Sequence, residues 1–259
     1  MIVSWTHVCL AEVKIPKLTH LVMPNLAPER FFESKALDLA NAIDSGDAVE
    51  IRRRANGLDL NAVHKDRMTF LFYAINTKRL AAITELVKAG ANPQQVDKQL
   101  GSPLDLAVRL EDSQVLKAML DGGVSPDARN SWGNPLLFSA ACLDSMDSLR
   151  LLVERKANLN AKDQGLGRTA ASEALSAHCY DHVEFLIEHG ADVKVTLVNG
   201  VTLSYSLQRQ LERQHVGTPA FKKLTKIKRL MQDRGVKFPA DPPPVVRAQM
   251  KAKGLKVTE

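Results

Sequence analysis

One ten-residue phrase recurs along the chain and limits what it can fold into. It reads "ELVKAGANPQ" from Glu85, "AMLDGGVSPD" from Ala118, "LLVERKANLN" from Leu151 and "FLIEHGADVK" from Phe185. Aligned on the residue that ends the apolar run, the series is Gly57, Gly90, Gly123, Lys156, Gly190 and Gly235, with spacings of 33, 33, 33, 34 and 45. A second marker follows about twelve residues later: Thr69, Ser102, Asn134, Thr169 and Thr202, spaced by 33, 32, 35 and 33. A fixed period of this length implies that one small supersecondary unit is copied and stacked.

The residue types explain what each copy does. Thr69, Ser102 and Thr169 carry hydroxyls that can accept from the unpaired N–H groups at a helix start. Pro103 and Pro135 come next, where a missing N–H costs nothing. Gly90, Gly123 and Gly190 stand where a helix must stop at positive φ. Between these marks Leu86 and Val87, Met119 and Leu120, Leu152 and Val153, and Leu186 and Ile187 recur in register. One helix pair cannot cover such an apolar face, so neighbouring pairs must stack.

The helix-opening segments "TFLFYA" (69–74), "SPLDLA" (102–107), "NPLLFS" (134–139) and "TAASEA" (169–174), together with "HVEFLIEHGADV" (182–193), resemble the ankyrin-repeat family. The resemblance spans about residues 36–238 and is strongest between Thr69 and Gly235. It implies an all-α fold: an ankyrin-repeat solenoid of about six helix pairs with hairpin-like connecting loops. It also implies an array at 36–238 with atypical capping repeats at both ends, preceded by an irregular N-terminal extension, 1–35.

Departures from the pattern carry their own expectations. Lys156 replaces glycine at the fourth joint and should be strained there. The first repeat places Arg52, Arg53 and Arg54 where leucines would be expected, and the last contains an insertion of about twelve residues, "QRQLERQHVGTP". Terminal repeats face water on one side, so both are read as caps. The second cap contains "PAFKKLTKIKRLMQDRG", with Phe221, Leu224, Ile227 and Met231 on one helical face and Lys222, Lys223, Lys226 and Arg229 on the other. That basic face is either the solvated side of a capping helix or a contact for an anionic partner, nucleic acid or, weakly, a membrane surface through residues 219–234. Residues 239–259, Pro-rich and then basic, are expected to be a disordered tail.

Charge follows the same division. The net charge is +6, yet Arg209 to Glu259 holds thirteen Lys and Arg against four acids, leaving about −3 for the rest. Basicity therefore belongs to one end, and nucleic acid is not an expected partner. Cys9, Cys142 and Cys179 are too scattered for a disulfide framework and are read as reduced, packed thiols. The opening "MIVSWTHVCLAEVKIPK" lacks a basic leader, so a cytoplasmic chain is the default, or a periplasmic one if the start is misassigned.

Catalytic chemistry finds no footing. "HCYDH" puts His178 and His182 four apart with Cys179 and Asp181 nearby, a possible metal spacing, but the repeat pattern makes the pair span a turn. "GLGRTA" (165–170) fits a loose phosphate-loop pattern with no strand before it. No enzyme, metal, cofactor or small-molecule substrate is expected. Ankyrin resemblance implies instead that the fingertip loops and first helices bind another protein. The candidate contacts are Asp66, Arg67, Lys98, Trp132 and Arg168 on fingertips, and Tyr73, Arg109 and Glu173 on first helices. Trp132 is either an exposed anchor or a residue packed on the next fingertip, and burial could claim Tyr73. The free-standing array is similar to small bacterial ankyrin proteins, some of which are immunity partners that plug a secreted toxin such as a lipase effector. The alternative is a regulatory adaptor whose basic helix docks an acidic partner or a membrane.

Overall fold

A computed structural model describes residues 26–98, 101–143 and 145–258. Its helices fall into two compact units that divide between Ser131 and Trp132. The first unit contains α1 (Ser34–Ser45), α2 (Ala48–Ala55), α3 (Phe70–Asn76), α4 (Leu80–Lys88), α5 (Pro103–Arg109) and α6 (Gln114–Asp121). The second contains α7 (Leu136–Ala140), α8 (Asp147–Glu154), α9 (Ala170–Ser176), α10 (Tyr180–Glu188), α11 (Leu203–Glu212), α12 (Pro219–Asp233) and α13 (Pro243–Ala252). Six helix pairs follow one another among the described residues, with isolated bridges Asp97–Gly101 and Thr196–Thr202 pinching two of the loops.

Within each unit the helices form two layers. First helices touch first helices (α1 with α3, α3 with α5; α7 with α9, α9 with α11), and second helices touch second helices (α2 with α4, α4 with α6; α10 with α12). The periodic apolar residues make this possible. Ile83 and Leu116 in the first unit, and Leu149 and Val183 in the second, occupy one register and are fully buried. So do Leu86 and Met119, and Leu152 and Leu186. Each such side chain contributes about 1.5–3 kcal/mol on leaving water. Between first helices the repeated Ala74, Ala107, Ala140 and Ala174 are fully buried, their small volume permitting close approach.

Helix starts and stops follow the sequence logic except at Thr169, whose buried hydroxyl caps nothing; there the Ser172 hydroxyl accepts from Thr169 N–H at 2.8 Å instead. The Thr69 hydroxyl accepts from Phe72 N–H at 3.2 Å, Ser102 from Asp105 N–H at 3.1 Å and Thr202 from Tyr205 N–H at 3.0 Å. In α5 the Asp105 carboxylate accepts in return from Ser102 N–H, completing a capping box. Asn134 does not begin α7: the five-residue helix starts one position later, behind Pro135. At the joints Gly90, Gly123 and Gly190 have φ of 102°, 110° and 104°. Lys156 is held at φ 64°, where its side chain is disfavoured.

Both ends depart from the central pattern. In α2 the three arginines engage acids: Arg52 reaches Glu85 at 2.8 Å, Arg53 Glu50 at 2.5 Å, and Arg54 both Asp38 at 2.5 Å and Glu50 at 2.6 Å. Hydrogen bonds from Arg53 and Arg54 hold the Glu50 carboxyl down at about 2. The insertion in the last repeat lengthens its helices, α11 to 10 residues and α12 to 15. Ahead of α1, Phe32 stacks on Phe70 with ring centroids 4.9 Å apart, sealing the start of the stack.

The tail expected to be disordered contains α13. Prolines tolerated in a first helical turn open it, and Val246 is buried beneath it. Cys142 and Cys179 are half-buried; Cys9 and the N-terminal segment before Leu26, with the questions of leader and start, lie outside the described residues.

Candidate protein-binding surface

The fingertip loops are built as a rigid series. In the first unit, Asn61 Oδ1 accepts the Asn92 N–H of the following loop at 2.7 Å, and Gln95 donates back to the Asn61 carbonyl at 2.9 Å. In the second, Asn160 Oδ1 accepts from Asp192 N–H at 2.8 Å, the same device repeated. The loop carbonyls and amides thus keep their register without forming a continuous sheet.

In the first unit the fingertip at Lys65–Arg67 is a single 3-10 turn in which Asp66 and Arg67 both take positive φ, 54° and 63°. That costs roughly 1–2 kcal/mol per residue. It aims Arg67 at Asp97 on the following fingertip, 2.7 Å away, and Asp66 at Arg30, 3.4 Å away. A shallow groove beside this bridge is lined by Val63, Phe72, Val96 and Pro103. Val63 and Val96, in register one repeat apart, are both exposed. Lys98 is exposed, and Arg109 is half-exposed at the end of α5.

In the second unit, Trp132 is 53% exposed and Leu166 38%. Their loops are firmly held. The Gln164 side chain lies so close over Gly133 that a Cβ there would meet it at 2.7 Å. Asp163 closes the Leu166 loop, its Oδ1 accepting from Gly167 N–H at 2.7 Å and Arg168 N–H at 2.8 Å. Arg168 donates to Asp163 at 2.9 Å and to Glu173 at 2.8 Å, with its guanidinium 5.1 Å from the Phe138 ring centroid. Burial pushes the Glu173 carboxyl up, against the pull of Arg168, and Asp163 adds to the rise.

Of the sequence candidates, Asp66, Arg67, Lys98 and Trp132 are exposed, and Arg109 and Arg168 partly so. Two expectations are corrected. Tyr73 is fully buried, its hydroxyl donating to the Leu26 carbonyl at 2.9 Å beneath the segment that precedes α1. Glu173 is 3% exposed, because its place in "TAASEA" is the inward-facing one that Leu106 and Phe138 fill with apolar groups. Arg168 therefore acts as a brace for its own loop. Val63, Val96 and Leu166 were missed. The signal was uneven: Leu166 is the single aliphatic residue of "KDQGLGR" and Val96 sits beside Gln94, Gln95 and Asp97, but Val63 shares its stretch with Leu60 and Met68. His178 sits in the turn before α10 at φ 61°, whereas His182 is buried within it, so no shared helical face joins the two. Among the described residues no cluster of three metal-ligating side chains occurs.

The model of the family described as ankyrin repeats matches residues 104–196 in three copies. The chain carries ankyrin repeats. Among solved structures, the ankyrin-repeat domain of Bcl-3, titled a unique member of the IkappaB protein family, superposes with a TM-score of 0.61 at 25% identity, covering 81% of this chain and 92% of that one. An ankyrin-repeat domain from Acinetobacter baumannii shares the fold, with a TM-score of 0.55 at 22% identity over 77% of this chain and 98% of that one. The mouse (Mus musculus) B-cell lymphoma 3 protein homolog is 30% identical over 149 residues, 56% of this chain and 33% of its own length. The chicken (Gallus gallus) nuclear factor NF-kappa-B p105 subunit is 31% identical over 143 residues, 52% of this chain and 14% of its own length. The ankyrin chain thus spans a third or less of these relatives. What it shares with them is a protein-interaction module.

Proposed function

We propose that this ankyrin module grips one protein partner through its fingertip loops, with Trp132 as the anchor, and acts as an inhibitor of the immunity type that neutralises a toxic effector such as a secreted lipase. The observation that carries the reading is an exposed Trp whose chain neighbours are both held, Ser131 N–H donating to the Asp105 carboxylate at 3.1 Å and Gln164 lying over Gly133. Trp is enriched at energetic hot spots, and a contact offered by a preordered loop binds without paying for the loop's ordering. Arg168 and Asp163 give the neighbouring Leu166 loop the same rigidity. Such a preformed surface suits tight, one-to-one occupation better than transient engagement of many partners.

The adaptor reading, with α12 docking an acidic partner or a membrane, is the weaker one. Lys223 pairs with Asp181, and Lys226 with Glu184, both on α10. Half of the basic face is therefore spent on binding α12 to the repeat before it. Affinity purification with mass spectrometry, using the wild-type chain and Trp132→Ala as matched baits, tests the proposal. One dominant partner lost with the variant, and a toxin gene beside this one, support it; many weak partners retained by both baits would move the reading to an adaptor.

A further inference from the structure

Each hairpin glycine meets something different. At Gly101 a Cβ would approach only Asp105 of the helix that follows, and at Gly167 it would make ordinary contact with Lys162. At Gly133 it would strike Gln164 from the next fingertip. Gly200 belongs to the last fingertip, which has no successor, and there a Cβ would come within 2.6 Å of Arg247 Cγ and 2.7 Å of the Pro243 carbonyl oxygen, both on α13. The C-terminal segment has taken the vacant place. Its attachment is polar and narrow. Arg247 donates to the Asn199 carbonyl at 3.1 Å, Ala240 N–H donates to Gln208 at 2.8 Å, and Val246 alone of the α13 side chains is buried. Val245 and Leu255 stay exposed.

Beyond α13 the chain reaches the edge itself. Val198 N–H donates to the Leu166 carbonyl at 3.1 Å, and Thr258 N–H donates to the Val198 carbonyl at 2.8 Å. Two backbone hydrogen bonds thus link the Leu166 loop through the last fingertip to the tail, whose contact with the edge is a single bond. We infer that residues 243–258 are a tethered, displaceable self-ligand of the fingertip edge, and that an extended segment of a partner can take the Val198 carbonyl in their place. This rests on the reading of the second unit's fingertips as the binding edge. The self-ligand would cover the last fingertip until a partner arrives.

Displaceability can be measured without a partner, so its failure is separate from any failure of that reading. Hydrogen exchange of the full chain should show α13 amides exchanging at least about tenfold faster than those of α11 and α12, as expected of a locally opening unit. Gly200→Ala adds the clash with α13, whereas Gly57→Ala has a similar φ, 76° against 80°, with nothing within 4 Å, and controls for left-handed strain. Gly200→Ala should raise exchange in α13 alone, with a melting temperature no lower than that of Gly57→Ala. Should Gly200→Ala perturb its own loop too widely, Arg247→Glu releases the same helix with the glycine intact and should give the same pattern. Protection lost together across α11, α12 and α13 in both variants, or wild-type α13 exchanging as slowly as α11, would show an integral cap and overturn the inference.

Discussion

Lys156 and Glu173 are two residues within the central repeats at which this chain writes against its own pattern. Lys156 occupies a joint where the other five copies have glycine, and its φ of 64° carries a penalty of roughly 1–2 kcal/mol. Lys156→Gly should remove that strain, partly offset by about 0.4–1 kcal/mol of extra freedom in the unfolded chain. A net gain of up to about 1 kcal/mol in a denaturant titration is expected; a loss would mean that the lysine makes a compensating contact. Glu173 puts a carboxyl where neighbouring repeats bury carbon. Its folded pKa is raised by burial, so folding favours the protonated carboxyl more than the unfolded chain does: its contribution is full below the ordinary value of 4.5 and is lost as pH rises through the folded value. Glu173→Gln should therefore be the more stable protein at pH 7, with the difference closing as the pH falls to about 4. Glu173→Leu, which restores the apolar pattern while Arg168 keeps Asp163, should be neutral or stabilising by about 1–4 kcal/mol. A fall in stability at neutral pH for both would show the ion pair to outweigh its desolvation.

At the level of elements, α12 separates a cap from a docking helix. Leu224, Ile227 and Met231 are fully buried, and Lys223 and Lys226 are tied to α10. Ile227→Ala should cost about 2–5 kcal/mol, as for other emptied core sites. Charge reversal at Lys222 and Arg229 should change stability by less than about 0.5 kcal/mol, as at ordinary surface positions. The opposite ranking, with anionic vesicles binding the wild type and not the reversal, would make α12 a membrane contact. The helix pairs were legible because glycine, hydroxyl and aliphatic positions repeat at one period, and stacking makes each copy confirm the next. What escaped had no period. The stretch before Val245 reads as disorder because prolines dominate it, although Pro242 at the N-cap and Pro243 and Pro244 in the first turn of α13 obstruct nothing. The exposure of Tyr73 stays open in the sequence because the residues that cover it, Leu26, Phe31 and Phe32, precede it by more than forty positions. Glu173 looked exposed because it is charged, and only its register gives its burial away.

Across the whole molecule, the proposal separates what builds the repeats from what meets a partner, and it assigns Trp132 to the second group. The ankyrin fold, shared with Bcl-3 over 81% of the chain, needs periodic Leu, Ile and Ala and makes no demand on an exposed indole in a fingertip. Truncating a hot-spot aromatic costs about 2 kcal/mol or more in binding, roughly thirtyfold in Kd. Emptying a buried one costs about 3–5 kcal/mol in folding. One variant measured twice therefore tests the central claim most directly: Trp132→Ala by thermal melt and by titration against the captured partner. The account predicts a nearly unchanged Tm with affinity reduced about thirtyfold or more; a Tm lowered by many degrees with affinity intact would contradict it and make Trp132 part of the scaffold.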